Sequence, residues 1–144
     1  GREERREGGN KTVLSGVPTS LPSLVKAYRI QDKARAVGFD WEEAQEVWTK
    51  VQEEIQEVRQ ALETKDAEDV EGEFGDLLFA VVNAARLYGV NPDNALERTN
   101  RKFISRFGYI ESQAKAQGRD IKDLTLAEMD ALWEEAKHLK HSQN

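Results

Sequence analysis

The sequence predicts an all-α fold, an antiparallel bundle of about five helices. Apolar residues recur three and four apart along several stretches, and helix start and stop signals bracket those stretches. No run alternates with the two-residue period of a strand, and no repeat of about 20–50 residues marks a solenoid or propeller.

The elements follow in order. Residues 1–19 open with Gly1-Arg2-Glu3-Glu4-Arg5-Arg6-Glu7-Gly8-Gly9-Asn10, all charge and glycine without apolar periodicity, and read as a flexible charged linker or tail. Residues 20–144 form the folded domain. Ser20 is an N-cap for a helix over 21–37, with Pro22 tolerated in its first turn and Gly38 as its stop. Asp40 and Glu43 resemble a capping box and Phe39 with Ala44 a staple, so the second helix starts there and runs to Glu63 through Val47, Trp48, Val51, Ile55, Val58 and Leu62.

Asp66 caps a third helix over 67–88 that ends at Gly89. From Leu77 to Ala85 it is apolar nearly all round except for Asn83, which predicts a central element. Asn91-Pro92 opens the fourth helix, with Leu96, Thr99, Phe103, Phe107, Ile110 and Ala114 on its buried side, Gly108 as a weak point and Gly118 as its end. Thr125 with Glu128 boxes the start of the last, which carries Met129, Leu132, Trp133 and Ala136 and is expected to fray at its basic end, Lys137 to His141.

Two carboxylate pairs stand out within this frame. Glu53-Glu54-Ile55-Gln56-Glu57 lies on the second helix, and Glu73-Phe74-Gly75-Asp76 follows after 15 residues on the third. Residues three apart share a helix side, so Glu54 pairs with Glu57 and Glu73 with Asp76. At about 100° per residue, Lys50, Glu54 and Glu57 flank the apolar stripe centred on Val51, whereas Glu53 points outward. Glu73 falls within the apolar arc of its helix and Asp76 at the arc's margin. A carboxylate there is costly unless paired, protonated or metal-bound, and oxygen-only ligands suit a hard cation such as Mg²⁺. The expectation is a metal site between two helices.

Other chemistries fit less well. There is no cysteine, hence no disulfide or thiolate site, and residues 20–137 hold no histidine, which a di-iron bundle requires. No phosphate-binding glycine loop, dinucleotide fingerprint or nucleophile elbow occurs. The net charge of −6 argues against coating a nucleic-acid polymer, and no apolar run nears the roughly 18–20 residues that cross a bilayer, so neither nucleic acid nor membrane is expected as a partner. A cytoplasmic location is the corresponding expectation.

The motifs together resemble a known family. Glu53-Glu54-x-x-Glu57 followed by Glu73-x-x-Asp76 is similar to the signature of the all-α nucleoside triphosphate pyrophosphohydrolases. Val37-Gly38-Phe39-Asp40-Trp41, Gly75-Asp76-Leu77-Leu78-Phe79 and Asn100-x-Lys102-Phe103-x-x-Arg106-Phe107 resemble its MazG branch, in particular the C-terminal catalytic domain, over about residues 20–137. The resemblance implies a Mg²⁺-dependent hydrolase, with Mn²⁺ as a substitute, that cuts nucleoside triphosphates into monophosphate and pyrophosphate. Glu54, Glu57, Glu73 and Asp76 would hold the metal, with Glu53 behind them or orienting a water. Lys50, Lys102 and Arg106 would contact phosphates, Trp133 would lie by the nucleotide, and Asn100 would help hold base or sugar. It also implies a homodimer or higher oligomer, in which helices of both chains complete a four-helix catalytic core. Two alternatives remain open at this stage: a relative restricted to dUTP or dCTP, and a dimeric nucleotide-binding or regulatory module without turnover.

Overall fold

The computed structural model describes residues 12–143, so most of the expected linker, residues 1–11, lies outside the described residues. The chain divides into two compact units, one ending at Asp93 and one beginning at Asn94. Among the described residues there are five α-helices: α1 (Ser23–Ala36), α2 (Glu46–Thr64), α3 (Ala67–Leu87), α4 (Pro92–Ala116) and α5 (Leu126–Gln143). A single 3-10 turn, Ile121–Asp123, lies between α4 and α5. No strand occurs among the described residues. The all-α expectation holds.

In the first unit, α2 and α3 form a hairpin joined by Lys65 and Asp66. Lys65 closes α2 in the left-handed region at φ 61°, a position usually given to glycine. The Asp66 carboxylate then accepts from the backbone N–H groups of Glu68 (3.0 Å) and Asp69 (3.4 Å), satisfying two of the orphan donors at the start of α3. Because the connection is so short, the two helices run antiparallel and their apolar stripes meet. Val47 and Val51 of α2 pack on Ala80 and Ala84 of α3, with Leu77 and Leu87 at the edges. The small alanines let the backbones approach closely, which brings the flanking carboxylates within reach of each other. Helix α1 also packs on α3, and its buried Gln31 donates from Nε2 to the Phe79 carbonyl at 3.0 Å.

Several boundaries differ from the sequence reading. Helix α1 starts at Ser23 behind an N-cap at Pro22, not at Ser20. Asp40 does not cap α2, which begins only at Glu46. Its carboxylate instead receives Arg86 of α3 at 2.7 Å, and Phe39 is 81% exposed rather than stapled. An ion pair to a largely buried guanidinium is a stronger partner for a carboxylate than helix N–H groups, so the chain stays irregular until Gln45. Asn83 accepts from the same guanidinium at 2.7 Å and completes the clasp.

The apolar stripes are also wider than their neighbours cover. Trp48, Ile55 and Leu62 of α2 are exposed, and so is a stripe along α3 made of Phe74, Leu78 and Val81. Helix α3 is therefore flanked by α1 and α2 but open on a third side.

The second unit pairs α4 with α5. Ile110 and Ala114 of α4 pack on Leu124 and Leu132, with Tyr109, Ile121, Met129 and Trp133 around them. Only this part of the expected buried side is covered, since Leu96, Phe103 and Phe107 are exposed. Helix α4 runs through Gly108 without interruption, and Gly118 follows its end at φ +71°. The box at α5 forms in both directions, Glu128 N–H to Thr125 Oγ1 at 3.1 Å and Thr125 N–H to Glu128 Oε1 at 2.8 Å. Arg119 joins it with two bonds to the same carboxylate, 2.9 and 3.1 Å. The expected fraying does not set in at Lys137, because α5 continues to Gln143.

Candidate metal centre

Helix α2 delivers Glu54 and helix α3 delivers Glu73 and Asp76 to one place. One carboxylate oxygen from each of the three lies within 4.8 Å of the others. Among the described residues this is the group of acidic side chains close enough to share an ion. The placement follows from packing. Val51 and Val58 turn one side of α2 into the hairpin interface, and Glu54 lies between them, 7% exposed. Glu73 sits one turn before Leu77 on the side of α3 that meets α2, and it is half-buried, while Asp76 is exposed.

The electrostatics are those of an undercompensated cluster. Partial burial, and then the charges of Asp76, Glu57, Glu54 and Asp69, raise the Glu73 carboxyl above its ordinary pKa. Among the described residues, the direct cationic contact to the three clustered acids comes from Lys50, one turn before Glu54 on α2. Its Nζ lies 2.8 Å from Glu54 Oε2. That hydrogen bond and the Glu54 charge raise the lysine's pKa against desolvation, with Glu53 and Asp76 adding to the effect.

Three converging oxygens from carboxylates, one of them nearly buried, form a donor set that fits a hard divalent cation, which would relieve the mutual repulsion. Glu57 is exposed one turn beyond Glu54 and acts on Glu73 through its charge, without joining the group of three. Glu53 is exposed, as the helical wheel requires.

The remaining expected residues belong to the second unit. Arg106 and Trp133 come together there, the guanidinium carbon 5.5 Å from the indole centroid, a cation–π contact. Phe103 packs against Trp133 at 5.3 Å and nearly parallel to Phe107 at 6.0 Å. Arg106 Nε is buried without a hydrogen-bond partner, so stacking on the ring helps hold the guanidinium. Asn100 and Lys102 are exposed on α4.

The acidic signature, the facing helices and the cation–aromatic patch together invite comparison with known proteins. The model of the MazG nucleotide pyrophosphohydrolase domain matches residues 41–109, a span that contains all five acids of the signature. The chain belongs to the MazG family. It is 41% identical over 117 residues to the nucleoside triphosphate pyrophosphohydrolase/pyrophosphatase MazG of Thermotoga maritima, covering 81% of this chain and 45% of that protein. It is 40% identical over 139 residues to the nucleoside triphosphate pyrophosphohydrolase of Escherichia coli K12, covering 94% of this chain and 52% of that one. An uncharacterized Bacillus subtilis protein, YabN, is 44% identical over 137 residues, which make up 28% of its length. The chain spans about half the length of the first two relatives.

The sequence reading missed three features around these sites. The Asp40–Arg86 clasp joins positions 46 residues apart and leaves no local pattern. The Arg119 contribution to the α5 box is likewise invisible without the turn that returns the chain. The Lys50–Glu54 pair could have been read from its four-residue spacing, which puts two residues on one helix side.

Proposed function

We propose that this chain is the catalytic part of a Mg²⁺-dependent nucleoside triphosphate pyrophosphohydrolase, with residues 20–144 as the catalytic domain. It converts a nucleoside triphosphate and one water into the nucleoside monophosphate and pyrophosphate. The observation that carries this reading is the convergence of Glu54, Glu73 and Asp76 within 4.8 Å across the α2–α3 hairpin. Family membership supports it, as do two relatives whose names give this activity.

Glu54, Glu57, Glu73 and Asp76 would hold the cation, Mg²⁺ or Mn²⁺ in its place. When bound it would screen the phosphate charges and acidify a coordinated water. The protein's own groups do the rest. Lys50, Lys102 and Arg106 bring positive charge to the phosphates of an otherwise acidic protein, Arg106 through two donor nitrogens that match a phosphate edge. Trp133 offers a flat apolar face to the base, Asn100 a donor and acceptor to base or sugar, and exposed Glu53 a proton acceptor for the attacking water.

Two copies of the chain complete the site in this reading. Phe74, Leu78 and Val81 recur along the open side of α3 at helical spacing, 45%, 62% and 46% exposed. Such a stripe on a helix that already packs on two sides calls for a further helix. Leu78→Glu should convert a dimer to a monomer in sedimentation, and an unchanged mass would remove this part of the proposal. No described helix is long and apolar enough to cross a membrane, which is compatible with the cytoplasm as the working location.

Product analysis tests the activity itself. With Mg²⁺ and each of the common ribo- and deoxyribonucleoside triphosphates, monophosphate and pyrophosphate should appear in equal amounts. Diphosphate with orthophosphate, or no turnover while the cation still binds, would overturn the assigned cut.

A further inference from the structure

Lys50 is held differently from the other phosphate-binding candidates. It is engaged with the most buried acid of the metal site, Nζ 2.8 Å from Glu54 Oε2, while its own side chain remains 45% exposed. The pair runs lysine first and glutamate four residues later, the less favourable order for stabilising a helix. Helix stability therefore accounts for little of it. Glu53 and Asp76 add attraction from α2 and α3, so the ammonium lies in the field of the acids expected to bind the cation.

We propose that Lys50 and the divalent cation compete for the Glu54 carboxylate, and that cation binding turns Lys50 over to the phosphates of the substrate. The inference rests on the reading of Glu54, Glu73 and Asp76 as cation ligands. A dication on Glu54 neutralises the charge that holds Lys50 and repels the ammonium at short range. The lysine is free to leave, because its four-carbon stem is flexible and half in solvent. Its nearest alternative attraction is then the negative charge of a triphosphate bound to the same cation. One side chain thereby compensates the acids and afterwards serves the substrate, which couples the two binding events. A lysine with a purely structural role, holding Glu54 in its ligating orientation, would act with the opposite sign on cation affinity.

That difference in sign is the test. Binding of Mn²⁺ alone, without nucleotide, is measured by calorimetry on the native protein and on Lys50→Met, Lys50→Arg and Asp76→Asn, each confirmed as folded by its melting curve. Lys50→Met should bind Mn²⁺ about three- to tenfold more tightly than native, a range set by a half-exposed ion pair. Lys50→Arg, which keeps the charge, should stay near native, and Asp76→Asn should lose binding. Lys50→Met should at the same time show a raised KM for the nucleotide, so that cation and substrate affinities move in opposite directions. Unchanged or weaker Mn²⁺ binding by Lys50→Met, with Asp76→Asn still defective, would overturn the competition and leave the metal site standing. Native binding by Asp76→Asn would bring down the site assignment and this proposal with it.

Discussion

The two units solve opposite electrostatic problems. In the hairpin of α2 and α3, the buried contacts among Val47, Val51, Ala80 and Ala84 hold like charges together against their repulsion. In the pair of α4 and α5, the Arg106 guanidinium lies on an aromatic face, and one of the unit's ion pairs, Arg119 with Glu128, closes a turn. The first site is under strain that a bound cation would relieve. In the second, the indole of Trp133 supports the Arg106 guanidinium. Removing charge from the acidic cluster should therefore cost function without costing stability, whereas removing charge at Arg119 or Glu128 should cost stability.

The largest effect expected is on activity. Asp76→Ala or Glu57→Ala should lower kcat by about 10³-fold, because in the proposed reading these acids hold the cation that activates the phosphates. Asp76→Ala should melt no lower than native and bind no Mn²⁺, and retained turnover in a folded Asp76→Ala protein would erase the contrast. Next come the aromatic and its cation. Trp133→Ala or Arg106→Ala should weaken nucleotide use by about tenfold, read as kcat/KM. Arg106→Lys should not restore it, since an ammonium lacks the planar stack and the paired donors.

Stability effects are smaller and fall where packing holds the acids in place. Val47 is fully buried at the hairpin interface, and Val47→Ala should destabilise the fold by about 2 kcal/mol in denaturant unfolding. By loosening the hairpin it should also weaken Mn²⁺ binding, which a core deletion in the second unit, Ile110→Val, should leave alone.

The smallest expected effect is the pH dependence that Glu128 contributes in the second unit. The hydrogen bond from Arg119, then that from the Thr125 backbone, pull the Glu128 carboxyl down to about 2 from 4.5. A depressed acid contributes its stability above the unfolded pKa and loses it as pH falls through the folded one. The contribution should be complete above about pH 4.5 and gone near pH 2. Glu128→Gln should flatten melting temperature against pH across that window. If its profile keeps the native slope, the ion pair does not carry the acid sensitivity.

How much of this was legible in the sequence depends on how local the cause is. Asp66, the Asn91-Pro92 start and the Thr125–Glu128 box act within one turn of chain, and their helices begin where the sequence places them. The carboxylates were legible because each pair is set by helical spacing and because Glu73 sits where an apolar residue would otherwise be. Asp40 was misread because its ion-pair partner, Arg86, is remote in sequence, and a local cap motif cannot compete with a contact it does not know about. Exposure of Trp48, Leu78 and Phe103 was equally hidden, since periodicity tells which side of a helix is apolar and not how much of it a neighbour covers. The site inherits the same limit: Glu54, Glu73 and Asp76 meet because a two-residue turn folds the hairpin tightly.

The most direct test of the central claim is to locate the cation. Crystals soaked with Mn²⁺ should give an anomalous peak at one position within bonding distance of Glu54, Glu73 and Asp76, with Lys50 Nζ turned away from Glu54. A peak elsewhere, or none at those three acids at a concentration that supports turnover, would contradict the account.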